Sequence, residues 1–132
     1  MTILYADDDV DDRELLTEAF QKIDPSISCR TVSDGREAIE TLNQITYLPD
    51  FIFLDINMPI MDGKDCLVEL KKDSRLKVIP VIIFSTTIDQ DEINRCYRLG
   101  ASSYLKKPNS FEELCSSLRM FINMVQNCAF IK

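Results

Sequence analysis

Residues 51–63 read FIFLDINMPIMDG, a short apolar run that ends on a carboxylate and continues into a segment with proline and glycine. An apolar run without polar alternation predicts a strand at residues 51–55 that is buried on both faces. Strands of this kind are typical of parallel sheets covered by helices on both sides. Asp55 then lies at the carboxyl end of its strand, where a loop begins.

Four further apolar runs flank this stretch and predict strands at residues 2–6, 27–32, 79–84 and 102–106. Segments with helical periodicity separate the runs, and the last such segment extends from Ser110 to about Asn127. Strands that alternate with helices predict an α/β fold, with a parallel sheet between two layers of helices.

The polarity of the runs predicts the strand order. The first, third and fourth runs are nearly all apolar, whereas the second (ISCRTV) and the fifth (SSYLKK) are more polar, as edge strands can be. We therefore predict a doubly wound five-stranded sheet of order 2-1-3-4-5, which is the flavodoxin-like order. In such sheets ligands bind beyond the carboxyl ends of the strands, so the residues that follow each strand are the candidate site.

Composition narrows the functional class. With 132 residues, 45% of them hydrophobic, we expect one globular domain with a substantial core. The formal net charge of −7 argues against nucleic acid as a partner, because no basic stripe is available to neutralise phosphates. No apolar run approaches the ~20 residues that span a bilayer, and the N-terminus lacks the basic region of a signal peptide. We expect no membrane partner and a cytoplasmic location.

Cysteine and histidine usage excludes several chemistries. The sequence contains no histidine, so the chain cannot donate a phosphoryl group from histidine or use histidine as an acid or base. The cysteines are scattered, odd in number and without a CxxC pair, which favours reduced thiols over disulfides or a zinc site. They are Cys29, Cys66, Cys96, Cys115 and Cys128.

Carboxylates follow two strands that are neighbours in the predicted order. Asp7 and Asp8 follow the first strand, and Asp55 ends the third. Three carboxylates in one place repel each other unless a cation compensates them. Because few protein ligands are available, the cation would keep several waters, which suits Mg²⁺ better than Ca²⁺. We therefore predict a magnesium site.

A cation and hydroxyl groups follow the remaining strands. Lys107 follows the fifth strand, Ser85 ends the fourth, and Thr86 offers a backbone N–H in the next loop. A carboxylate, a divalent cation and an ammonium group around one cavity are the components that phosphoryl transfer requires.

Four motifs carry a family resemblance over essentially the whole chain. They are YADDD at residues 5–9, FIFLDINMPIMDG at 51–63, IPVIIFSTT at 79–87 and LGASSYLKKP at 99–108. In this order and spacing, the chain resembles the CheY-like receiver domains of response regulators. The resemblance implies that Asp55 is the phosphoacceptor. It also implies that Mg²⁺ is bound directly by Asp8 and Asp55, mainly through water by Asp7, and by the backbone carbonyl of Asn57.

The same resemblance implies how phosphate would be sensed. Lys107 would contact the phosphoryl oxygens, and the bond between Lys107 and Pro108 is often cis in the family. Ser85 and Tyr104 match the switch pair of the family. We expect the hydroxyl of Ser85 to move toward the phosphoryl group and Tyr104 to rotate inward.

Simpler interpretations apply to some of the acids. Asp9, Asp11 and Asp12 are expected only to cap or flank the N-terminus of the following helix. The spacing of Asp7, Asp9 and Asp11 imitates a calcium loop, with Glu18 at its twelfth position. Asp12 replaces the glycine that such a loop requires, so we reject an EF-hand.

The leading functional hypothesis is a phosphoacceptor switch that is phosphorylated by a histidine kinase or phosphotransfer protein. One helix follows the fifth strand, so we expect residues 1–132 to be a receiver without an output domain and to act on an unknown downstream protein. A relay that passes the phosphoryl group on is the first alternative. A magnesium-dependent phosphatase that acts through an aspartyl-phosphate is the less favoured alternative. Such enzymes commonly carry a second Asp two residues after the nucleophile, and here that position is Asn57. A flavin-binding module is disfavoured because Asp7 and Asp8 would repel its phosphate.

Overall fold

A computed structural model describes residues 1–127 of the chain. Five strands alternate with five helices along the sequence. The strands are β1 (Thr2–Ala6), β2 (Ser28–Val32), β3 (Phe51–Leu54), β4 (Val81–Ser85) and β5 (Ser103–Lys106). The helices are α1 (Val10–Ile23), α2 (Gly35–Gln44), α3 (Gly63–Lys72), α4 (Gln90–Arg98) and α5 (Phe111–Asn127).

The five strands form one parallel sheet of order β2-β1-β3-β4-β5, which confirms the predicted order. The three central strands are buried almost throughout, whereas β2 and β5 alternate or are half-buried. The difference in polarity between the runs therefore reflects their place in the sheet.

Each face of the sheet carries its own hydrophobic core. On one face, α1 and α5 pack over an aromatic group in which the ring of Phe53 meets those of Phe20, Phe84 and Phe121 edge to face, at 5.5–6.1 Å between centroids. On the other face, α2, α3 and α4 bury aliphatic residues such as Leu42, with cysteine sulfurs among them. Helices pack on both faces of the sheet, so the residues at the carboxyl ends of the strands have defined positions.

The helix boundaries follow ordinary capping chemistry. Asp9 accepts hydrogen bonds from the backbone N–H groups of Asp11 and Asp12 at the start of α1, as predicted. Helix α4 ends before Gly100, whose φ of +111° is a conformation that L side chains rarely adopt.

The predicted bounds of β1 match the observed ones, and those of the other four strands differ by one or two residues. The largest difference is in β4, which begins at Val81 rather than at residue 79. Pro80 lacks an N–H and contributes only its carbonyl, which accepts from the backbone of Ile52 at 3.0 Å.

Two further features concern the chain as described. Cys29, Cys66, Cys96 and Cys115 are free thiols, and burial raises the pKa of Cys66 to about 12, while Cys128 lies outside the described residues. Within residues 1–127, none of the helices combines the length and the apolar character needed to cross a bilayer.

Candidate functional site

The sheet brings its acidic strand ends side by side. The backbone N–H of Asp7 bonds to the carbonyl of Val32 at 3.1 Å, and that of Asp55 bonds to the carbonyl of Ala6 at 3.0 Å. These bonds continue the parallel ladder by one residue beyond β1 and β3. Asp7 and Asp55 therefore occupy adjacent positions at one edge of the sheet.

Asp7, Asp8 and Asp55 form a cluster in which one carboxylate oxygen of each lies within 4.8 Å of the others. Asp7 is fully buried and Asp55 is 7% exposed, while Asp8 is exposed. Hard divalent cations favour such sets of oxygen ligands. The structure thus assembles the predicted carboxylate set, with one member open to solvent.

Both carboxylate oxygens of Asp7 already have partners within the chain. Its Oδ1 accepts from the backbone N–H of Asp9 at 3.0 Å, and its Oδ2 accepts from the Lys107 ammonium at 2.6 Å and from the hydroxyl of Tyr5. Tyr5 is fully buried, and this burial strongly raises its pKa. The negative charge of Asp7 raises the pKa further. Tyr5 therefore stays protonated as a fixed donor to Asp7.

Sequence reasoning gave Tyr5 no role, although a signal was present. Side chains two residues apart on a strand lie on the same face of the sheet. A tyrosine two residues before the strand-end carboxylate is therefore placed to reach that carboxylate.

Lys107 lies among three carboxylates. Its ammonium nitrogen is 2.6 Å from Asp7 Oδ2, 2.8 Å from Asp12 Oδ2 and 3.6 Å from Asp55 Oδ1. Burial by itself would lower the pKa of Lys107, but hydrogen bonds to Asp12 and Asp7 and the charge of Asp55 outweigh it and raise the pKa to about 12. Lys107 is therefore a fixed positive charge in the site.

The surroundings of the Asp55 carboxylate raise the free energy of its ionised form. Its Oδ1 accepts from the backbone N–H of Ile56 at 3.0 Å. Burial raises the pKa of Asp55 to about 6, the charge of Lys107 partly opposes this, and Asp7 adds repulsion. Ionisation of Asp55 therefore costs more free energy in the folded protein than in the unfolded chain, and further positive charge would offset that cost.

The end of β4 connects the cluster to β5. Ser85 is 1% exposed, and its Oγ accepts from the backbone N–H of Thr87 at 3.4 Å. The Thr87 carbonyl accepts from the hydroxyl of Tyr104 at 3.0 Å. Lys107 donates its backbone N–H to the carbonyl of Ser85 at 2.8 Å. One loop therefore contacts both members of the predicted switch pair.

The loop after β3 packs closely against the backbone of Asp55 and Ile56. Gly63 donates its N–H to the carbonyl of Ile56 at 2.9 Å, and a Cβ at this glycine would lie 2.2 Å from the backbone oxygen of Asp55. At the tip, Met61 donates to the carbonyl of Pro59 at 2.7 Å, and Ile60 has a φ of +67°. This close approach requires glycine at 63, while the tip places an isoleucine in a backbone region that disfavours it.

The structure thus gathers Asp7, Asp8, Asp55 and Lys107 into one cluster. Ser85 at the end of β4 and Tyr104 in β5 both contact the loop that follows β4. The side chains of Asn57 and Thr86 are exposed on the loops that follow β3 and β4.

Two expectations require correction. Asp12, which was expected only to flank the start of α1, also pairs with Lys107. Among residues 1–127 no peptide bond is cis, so the bond between Lys107 and Pro108 is trans.

A family model described as the response regulator receiver domain matches residues 3–119, which is most of the chain. The chain belongs to this receiver family. This receiver domain is 32% identical over 116 residues to the probable methanogenesis regulatory protein FilR2 of Methanothrix harundinacea, and the match covers 85% of the chain and 75% of FilR2.

Solved receiver structures show the same architecture. The phosphorylated cyanobacterial phytochrome response regulator RcpA is 34% identical, with a TM-score of 0.83 over 91% of this chain and 89% of RcpA. The Mn²⁺-bound form of response regulator Rcp1 is 28% identical, with a TM-score of 0.80 over 91% and 90% of the two chains. Some curated relatives are longer, and this receiver domain spans 34% of a protein-glutamate methylesterase of Methanococcoides burtonii. Receiver domains act as signalling switches rather than as conventional enzymes.

Proposed function

We propose that this receiver domain accepts a phosphoryl group on Asp55, with Mg²⁺, from a histidine kinase or phosphotransfer protein. The observation that carries the proposal is the cluster itself. Asp7, Asp8 and Asp55 converge within 4.8 Å, and Lys107 lies 3.6 Å from Asp55. We further propose that residues 1–132 constitute one receiver domain, and that its output is a contact with another protein.

The carboxylates fit a divalent cation, and they would share its coordination unequally. Asp8 is exposed and Asp55 lies beside it, so these two would bind the ion directly, with the backbone carbonyl of Asn57. Both oxygens of Asp7 are already engaged, which favours a contact through water. The bound ion would supply positive charge to the phosphoryl oxygens. The solved Mn²⁺-bound form of Rcp1 supports a divalent cation here.

Phosphoryl transfer needs one nucleophile and several fixed donors. A carboxylate oxygen of Asp55 attacks phosphorus, and the bond from phosphorus to the donor's histidine nitrogen breaks, leaving its electron pair on the imidazole. Lys107 neutralises the phosphoryl oxygens, and the hydroxyl of Ser85 and the backbone N–H of Thr86 donate hydrogen bonds to them. Asn57 and Thr87 would flank the path of the water that later hydrolyses the acyl phosphate.

The contacts of Thr87 suggest how the modification would reach the surface. Ser85 accepts from the N–H of Thr87, and Tyr104 donates to its carbonyl. A phosphoryl group that attracts the Ser85 hydroxyl therefore changes the loop that holds Tyr104. Because Tyr104 already bonds to this loop, we expect phosphorylation to favour the bonded position rather than to create it.

The proposal is tested by intact mass spectrometry after incubation with Mg²⁺ and acetyl phosphate. Wild type should gain the mass of one phosphoryl group, and Asp55→Asn should gain none. Stable phosphorylation of Asp55→Asn at the wild-type rate would show that the acceptor is another residue.

A further inference from the structure

Lys107 has a carboxylate partner that the proposed phosphoryl chemistry does not use. Besides the buried Asp7, its ammonium group donates to Asp12 Oδ2 at 2.8 Å, which is closer than the 3.6 Å to Asp55. An ammonium group has three hydrogens to donate. Two of them are directed to carboxylates other than Asp55, so the approach of Lys107 to Asp55 depends on these competitors.

The two competitors differ in how easily they could release the lysine. Asp7 is fully buried, and it also accepts from Tyr5 and Asp9. The side chain of Asp12 is 34% exposed and lies in the first turn of α1, where water can replace the ammonium group. Asp12 is therefore the partner that Lys107 can exchange.

We propose that Asp12 is a positioning residue that competes with the phosphoryl group for the ammonium of Lys107. This inference rests on the proposed function, in which Lys107 contacts the phosphoryl oxygens on Asp55. With Asp12 bound, one hydrogen of the ammonium is directed away from Asp55. Asp12 thus limits both the rate of phosphorylation and the strength of the Lys107 contact.

Open space adjoins the ion pair of Asp12 and Lys107. A cavity of about 100 Å³ between α1 and the start of α5 is lined by Asp12, Lys107 and Phe84, among others. The side chains of Asp12 and Lys107 therefore both border open space. An asparagine at position 12 also fits the same space, so the variant should fold.

The chain supplies a matched control one residue away. Asp11 has the same charge in the same helical turn, and like Asp12 it donates its backbone N–H to Asp9. Its side chain is exposed, and the partners of Lys107 within the described residues are Asp7, Asp12 and Asp55. Asp11→Asn therefore reproduces the change in net charge, and the loss of a favourable charge at the N-terminus of α1, without altering a partner of Lys107.

The test is the initial rate of phosphorylation by acetyl phosphate with Mg²⁺, followed by intact mass. In this reaction an oxygen of Asp55 bonds to phosphorus while acetate leaves with the electron pair of the broken P–O bond. Asp12→Asn should react about two- to fivefold faster, because the free energy of an ion pair near the protein surface corresponds to a factor of about this size. Asp11→Asn should match wild type, and Asp12→Glu should restore the slower rate.

A double-mutant cycle shows whether Asp12 acts through Lys107. In a Lys107→Ala background, Asp12→Asn should no longer change the rate. The inference is overturned if Asp11→Asn accelerates the reaction equally, if the gain persists without Lys107, or if Asp12→Asn reacts as wild type. Any of these results with phosphorylation still dependent on Asp55 leaves the proposed function intact, whereas phosphorylation of Asp55→Asn overturns both.

Discussion

Replacing Asp55 with asparagine should stabilise the metal-free protein at neutral pH, although it removes the proposed phosphoacceptor. Burial and the charge of Asp7 raise the pKa of Asp55 from 3.8 to about 6, against the opposing effect of Lys107. That difference corresponds to about 3 kcal/mol of unfavourable free energy for the ionised form. Because 11% of the Asp55 side-chain surface remains in contact with solvent, which screens these charges, the expected gain is about 1–2 kcal/mol.

The pH dependence gives this prediction its sign. Between pH 4 and about 6 the folded protein holds the Asp55 proton, while the unfolded chain has released it. The free energy of unfolding of wild type therefore falls, through this group, as the pH rises across that interval. The advantage of Asp55→Asn should be complete at pH 7, and it should shrink toward zero near pH 4.

Urea denaturation of both proteins across this pH range, with a chelator present, measures the effect. Glu69→Gln is a suitable control because Glu69 is exposed in α3, and its effect should stay within about 0.5 kcal/mol. Excess Mg²⁺ should stabilise wild type and narrow the gap, because the ion binds the folded state. An Asp55→Asn protein that is less stable than wild type at pH 7, by an amount independent of pH, would refute this account of the cluster.

Three further predictions concern the metal, the loop and the switch. Asp8→Ala should weaken Mg²⁺ binding and slow phosphorylation together, and an unchanged affinity by calorimetry would contradict its role as a ligand. Ile60→Gly should raise the free energy of unfolding, measured in urea, by about 1 kcal/mol. Relief of about 1–3 kcal/mol of backbone strain should outweigh the conformational entropy that glycine loses on folding, about 0.5–1 kcal/mol. A loss of stability would show that the tip is not strained. With beryllofluoride, which mimics the phosphoryl group, NMR shift changes should spread from Asp55 to Tyr104 and α5; changes confined to the metal site would favour a phosphate relay.

The sheet order could be predicted because the burial of a strand determines how apolar its sequence is. Parallel strands that are covered on both faces need apolar residues at nearly every position, so FIFL at residues 51–54 and VIIF at 81–84 mark the centre. The positions of Asp7 and Asp55 followed from the same argument, since parallel strands present their carboxyl ends at one edge. The start of β4 could not be predicted to the residue, because the carbonyl of Pro80 takes part in the sheet while its ring nitrogen cannot.

The contacts of α1 could not be predicted, because they depend on how the helix is rotated over the sheet. Asp11 and Asp12 are equivalent as first-turn acids, yet only Asp12 pairs with Lys107. The choice between them is set by the packing of Leu16 and Phe20 against the sheet. Local sequence preferences describe the start of such a helix, but tertiary packing decides which of its side chains faces the site.

The most direct test of the central claim is the intact mass of wild type and Asp55→Asn after incubation with acetyl phosphate, with and without Mg²⁺. The account predicts one added phosphoryl group on wild type, dependent on Mg²⁺, and none on Asp55→Asn. A phosphoryl group on Asp55→Asn at the wild-type rate, or a wild type that is never phosphorylated, would contradict it.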